Sequence, residues 1–202
     1  MLNSTARLNA TRLIAAAAVV LLTACSSTPD SQYYLLTALA QGESENDSPS
    51  VGVGPIEIPQ YLNRNGIVYH RAGNQVDVAS YERWAEPLTD GLSRVISLNL
   101  SALLNSQSVQ VFPWPQQYAP TYAVSVNVLE LDAEGTQARL AAKWTIRRTK
   151  GEIITRRLSR LNESLNGSDS AASITAAYSR LLLSLSEEIA AGITAATSET
   201  DQ

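Results

Sequence analysis

The 202-residue chain has a single cysteine, a single histidine, one phenylalanine and one methionine, and each scarcity removes a class of chemistry. One cysteine cannot close an intrachain disulfide. One histidine leaves no second imidazole for a metal site, and a Ser-His-Asp triad would have only His70 as its base. His70 ends a short β-prone run, where it reads as a hydrogen-bonded or surface side chain. Glu43, Glu45 and Asp47 fall in a polar stretch and read as solvated charge, not as a carboxylate cage. Gly52-Val53-Gly54 has neither the third glycine, nor the lysine, nor the following helix of a phosphate-binding loop, and Pro55 removes an amide donor. No catalytic group, metal or cofactor is therefore expected. Long apolar runs are missing as well. The run Leu13 to Leu22 is about half the roughly 20 residues that a membrane-spanning helix needs. The formal charge of −4 is mild and argues against a nucleic-acid partner.

What is present begins at the N-terminus. Arg7 and Arg12 form a positive leader segment, with no acidic residue before Asp30. The apolar, alanine-rich run follows and ends in Leu22-Thr23-Ala24-Cys25. This is the layout of an export signal of residues 1–24 that closes on a cysteine and resembles the lipobox of bacterial lipoproteins. In such a sequence the Cys25 thiol carries lipid and the chain is cut just before it. Several acyl chains together make a firm anchor, since each buried methylene contributes about 0.8 kcal/mol. Residue 26 is Ser, not the Asp that retains lipoproteins in the inner membrane, so delivery to the outer membrane is expected. Residues 25–32 are then a lipidated end and short tether that spans at most about 25 Å. Cleavage takes two arginines away, leaving 13 basic against 19 acidic side chains, or −6. The remaining 178 residues suit one domain, taken as 33–197.

Along that domain, Tyr33–Thr37 is β-prone, 40–50 is an acidic polar loop, and Val51–Ile58 is a strand whose Gly and Pro breakers predict a bulge or an edge. Gly66–His70 and Gln75–Ala79 flank a Gly-Asn hairpin turn. Tyr81 to Ala85 reads as the approach to a helix that opens at Glu86-Pro87. Its apolar stripe is Leu88, Leu92, Val95, Ile96, Leu100, Leu103 and Leu104. Ser108–Phe112 is a short strand, and Pro113-Trp114-Pro115 is a rigid aromatic turn. Tyr122–Leu131 alternates, with a phase slip at Leu129 that predicts a bulge. Ala138–Ile146 alternates cleanly, and Glu152–Leu161 completes an antiparallel meander. A second helix follows the candidate caps Ser168, Asp169 and Ser170, with Ile174, Tyr178, Leu181, Leu182, Leu185, Ile189 and Ile193 on one face. The expected fold is α+β: two layers, with one mostly antiparallel sheet packed by two amphipathic helices.

Three features remain for binding. Trp84 reads either as packing under the sheet or as an anchor in a partner contact, and Trp114, stiffened by its prolines, as a partner or headgroup contact. Arg147, Arg148, Lys150, Arg156, Arg157 and Arg160 gather positive charge on one hairpin, either as a solvated sheet face or as a patch for an acidic partner or lipid phosphates.

A lipobox, then Tyr33-Tyr34-Leu35-Leu36, then Val51-Gly52-Val53-Gly54-Pro55-Ile56-Glu57-Ile58-Pro59-Gln60-Tyr61-Leu62-Asn63-Arg64, then Arg83-Trp84-Ala85-Glu86-Pro87-Leu88 resemble, in that order, the ABC-transport auxiliary lipoproteins of the PqiC type. The resemblance is carried by motif across residues 25–105 and by layout beyond residue 120. It implies a non-enzymatic lipoprotein of the outer membrane, on its periplasmic face, supporting membrane integrity. Its partner would be an MCE-domain membrane protein that carries phospholipid or other hydrophobic cargo between membranes. It also implies a homo-oligomer, with a ring as one arrangement. Trp84, Glu86 and Trp114 are the residues expected at partner or subunit contacts. The alternative is a structural envelope lipoprotein with no transport partner.

Overall fold

Strand β1 (Gln32–Tyr34) enters a small sheet as its outermost member. It pairs in parallel with the last residues of β4 (Gln75–Trp84), and β4 pairs antiparallel with β3 (Gly66–Ala72). A five-stranded sheet is built from β2 (Val51–Glu57), β5 (Val109–Val111), β6 (Tyr122–Glu134), β7 (Gln137–Arg148) and β8 (Ile153–Ser164), in the order β5-β2-β6-β7-β8. Two helices, α1 (Leu88–Leu103) and α2 (Ala171–Thr200), complete the chain. The computed structural model describes residues 29–47, 49–149, 151–167 and 170–200. Cys25 and most of the expected tether lie outside them. Residues Ser31–Gln202 form one unit, apart from Met1–Asp30. In the latter only Pro29 and Asp30 are described, both exposed.

The class is α+β, as expected, but the sheet is divided. β3 and β4 form a sheet with β1 and not with the larger sheet, because β4 runs on to Trp84, where β1 pairs with it. The stretch that read as an approach to the helix is thus strand as far as Trp84. The larger sheet is mixed. β2 pairs in parallel with both β5 and β6, while β6, β7 and β8 are antiparallel. Parallel pairing needs a long crossover, and the 51 residues between β2 and β5, holding β3, β4 and α1, supply it.

Alternation explains which face is covered. Val124, Val126, Val128 and Leu131 of β6 and Leu140, Ala142, Trp144 and Ile146 of β7 point to the helices and are buried. The expected slip at Leu129 is present, as a register shift between Val128 and Glu130. It exposes Leu129 and keeps Leu131 in the core. β2 is also bulged, between Val53 and Ile56, yet it is an inner strand and β5 forms the edge. Both helix stripes are buried where the spacing placed them, except that Leu103 is exposed at the end of α1 and Leu104, just beyond it, is half-buried. Ser170 caps α2 by accepting a hydrogen bond from the Ser173 N–H at 3.3 Å. The other two cap candidates, Ser168 and Asp169, fall outside the described residues.

Candidate functional site

The face of the large sheet turned away from the helices is where chemistry could be presented, and it has three regions. Over β2, the aromatic turn folds back so that Trp114 covers Gly52. A Cβ at residue 52 would stand 2.6 Å from both the Trp114 ring and Pro120, so only glycine allows this approach. Phe112 meets Trp114 edge-on, with ring centroids 5.3 Å apart. Trp114 is thus half-buried and partly open to contact, while Phe112 and Tyr118 beside it are exposed.

At the opposite end, β3 crosses the ends of β6 and β7 and is tied down by charge. Asp132 is only 3% exposed. Its carboxylate meets His70 Nδ1, an ion pair when the imidazole is protonated, and accepts a hydrogen bond from Arg139 at 3.0 Å. Arg139 also donates to Glu134 at 2.9 Å and to Glu130 at 3.2 Å. Hydrogen bonds to Glu134 and then Asp132 hold the Arg139 guanidinium above its usual value. Burial, reinforced by the charge of Asp132, pushes the phenols of Tyr61 and Tyr178 up. Tyr69, His70, Arg71 and Glu82 line a polar recess of about 340 Å³ next to this cluster. Ser170 lines the same recess, and the charged groups around His70 form a clamp between hairpin and sheet. Among the described residues no group of three or more His, Cys, Asp or Glu could hold a metal ion.

The Tyr178 hydroxyl is buried and has no hydrogen-bond partner among the described residues, which sets up a test. Such a hydroxyl costs about 1–3 kcal/mol, so Tyr178→Phe is expected to leave stability unchanged or raise it by about 1 kcal/mol at pH 7. The sign of the pH effect is fixed. The folded pKa lies above the unfolded value of about 10. The contribution is therefore complete below pH 10 and lost as pH rises beyond it. Thermal melts from pH 8 to 11 should show a smaller alkaline loss in the variant than in the parent.

The third region is open and basic. Lys143 and Arg147 of β7 and Arg156 and Arg160 of β8 point outward, are exposed, and make no ion pair among the described residues. Exposed Ile153 and Leu158 lie between them. Arg157 faces the other way, its guanidinium 6.0 Å from the Trp144 ring centroid, and Arg148 pairs with Glu152. Lys150 is outside the described residues. Only part of the expected cluster is therefore free to bind.

The remaining sequence candidates have other duties. Trp84 is 8% exposed and packs in the core, so of its two readings the structure realises packing. Glu86 holds Arg94, which donates in turn to the Leu36 carbonyl at 2.9 Å. The Glu86-Pro87 segment thereby pins the irregular segment after β1 to α1. What sequence reasoning missed is this use of charge as internal fastening, by Glu86 and by Asp132. Asp132 gave a faint signal, as an acid at a β-strand position among apolar neighbours.

These elements define an α+β domain with one helix-covered face, one largely open face and a clamp of buried charge between hairpin and sheet. The chain belongs to the family of ABC-type transport auxiliary lipoprotein components, whose profile matches residues 33–190. No curated protein matches the sequence. Among solved structures, an uncharacterized protein superposes with a TM-score of 0.66 at 21% identity, covering 82% of this chain and 99% of its own. A protein from Xanthomonas campestris gives a TM-score of 0.68 at 15% identity, covering 85% and 98%. At these identities the likeness concerns the fold alone. Among the described residues no helix is long and apolar enough to cross a membrane.

Proposed function

We propose that this lipoprotein docks, from the outer membrane, onto an MCE-domain membrane protein, as a non-enzymatic part of a system that moves phospholipid or other hydrophobic cargo between membranes. The observation that carries the reading is the family match over residues 33–190 following directly on a lipobox at Cys25. Residues 1–24 are removed, residues 25–32 carry the acyl chains and form the tether, and 33–197 is the docking domain. Ser26 in place of Asp directs it to the outer membrane, with the domain in the periplasm. There it contributes to membrane integrity, and it acts as a homo-oligomer. Trp114, half-buried beside exposed Phe112, is the contact aromatic. Trp84 and Glu86 act from behind by fixing the start of α1.

Mild solubilisation of the native envelope followed by isolation of the lipoprotein should recover an MCE-domain protein with it. Mass spectrometry of the same sample should show an N-terminus at Cys25 bearing acyl chains. Repeated recovery of the lipoprotein without any MCE-domain protein would sink the docking claim and leave a structural envelope lipoprotein.

A further inference from the structure

One row of residues runs straight across the large sheet. Val51 pairs with Val109 on one side and with Tyr122 on the other, and Tyr122 pairs with Arg148. The two edges at this end of the sheet carry opposite charge. On the β5 side, the loop before β2 is sewn to the end of α1. Asn46 N–H donates to the Asn105 carbonyl at 3.2 Å, and Gln107 N–H donates to the Asn46 carbonyl at 2.7 Å. This anchored loop holds out Glu43, Glu45 and Asp47, all exposed and without an ion pair among the described residues. On the β7–β8 side, within three residues of that row, stand Arg147 and Arg156, with Lys143 and Arg160 further along the strands, all exposed and without an ion pair among the described residues. Four strand spacings, about 19 Å, separate the two edges, so the charges cannot meet within one molecule.

Each edge also has apolar surface to bury. Leu103, Val111, Phe112 and Tyr118 are exposed on the acidic side, and Ile153 and Leu158 on the basic side. An acidic, aromatic edge and a basic, aliphatic edge are complementary in charge and in the stacking that arginine makes on aromatic rings.

We propose that the basic face of β7 and β8 in one copy receives the 43–47 loop and the β5 edge of a second copy, head to tail. The proposal rests on the homo-oligomer of the preceding section and supplies its interface. Exposed ion pairs add little affinity singly, so here they set orientation while the apolar residues supply burial. Because both patches lie at the same end of the sheet, successive copies are displaced across the strands and not along them. A head-to-tail contact of that kind closes into a ring if the rotation per copy closes. The beginning of β1 lies at the other end of the molecule, beside the first half of α2, where Thr37 N–H donates to Ser179 Oγ at 3.0 Å. Thr197, by contrast, hydrogen-bonds Tyr122 at 3.2 Å. The rise from Ser179 to Thr197 is about 27 Å, so every copy's β1 would stand on the same rim, opposite the charged contact.

The test uses the full lipoprotein in mild detergent, with assembly read by light scattering and native mass spectrometry. The wild type should assemble and dissociate as salt is raised. Arg147→Glu with Arg156→Glu, or Glu43→Lys with Glu45→Lys, should each weaken assembly by about tenfold or more. The four changes together should restore it to near the parent, and that restoration cannot arise from misfolding. A monomeric wild type, an assembly that neither reversal weakens, or a quadruple variant that stays dissociated would overturn the proposal. Recovery of an MCE-domain protein is scored on the same samples. Its absence from an intact assembly counts against the docking function and leaves the interface standing.

Discussion

Trp144→Ala is expected to cost about 3–5 kcal/mol and to lower Tm by roughly 10 °C. The ring is 1% exposed and sits between β7, β8 and α2. Its Nε1–H donates to Ser159 Oγ at 2.8 Å, and the Ser159 hydroxyl bonds the Glu188 carboxylate. Arg157 lies over its face. Beneath it α2 comes so near that a Cβ at Gly192 would stand 2.8 Å from Ile146 and 3.7 Å from the Trp144 ring. A helix held by contacts this tight cannot settle into the space an alanine leaves, so the cavity term persists on top of the lost transfer energy. Trp144→Phe keeps most of the volume but strands the Ser159–Glu188 pair, and about 1–2 kcal/mol is expected from that alone. Denaturant melts of the two variants separate packing from hydrogen bonding. Equal losses in both would show that the ring volume is not what matters.

Asp132→Ala is expected to cost about 3–5 kcal/mol. With the carboxylate gone, Arg139 keeps Glu130 and Glu134 at the surface, but His70 loses its partner in a half-covered site and β3 loses its tie to β6. The loss should be regional. Hydrogen exchange is expected to quicken in β3 and the start of β4 while β7 and β8 stay protected. Asp132→Asn, which keeps shape and one acceptor, should fall between parent and alanine. Uniform acceleration across both sheets would show that the clamp does not act locally.

How far the sequence foretold this is best judged strand by strand. The two faces of β7 were legible, though the strand runs a residue or two further at each end, because one buried and one exposed face leave a period of two in the sequence. The β6 bulge was legible for the same reason, as a slip in that period. The division into two sheets was not. Gln75–Ala79 and Tyr81–Trp84 are one strand, but Glu82 and Arg83 alternate with Tyr81 and Trp84 too briefly to mark it, and the Pro87 signal drew the boundary toward the helix. Nor was the parallel placement of β2, since pairing partners more than 50 residues away leave no local trace. At the site, the hairpin cations were visible as a cluster. Only the pleat tells which of them point outward, and so Arg157 dropped out and Lys143 came in. The acidic loop read as solvated charge because its anchorage to α1 depends on backbone bonds that composition does not reveal.

The order of strands has a consequence for how the molecule comes into being. β2 is completed on neither side until residues 109 and 122 have been made, and the apolar floor it begins is roofed by α2, the last element of the chain. More than half of the 202 residues must therefore be made before β2 has both its neighbours. Throughout that interval Val51 and Val53, which end with no exposed surface at all, face water. Assembly is thus a late and concerted event dominated by distant contacts, which makes it slow for its size. The newborn chain needs shelter from others like it until Ala171–Thr200 has been made.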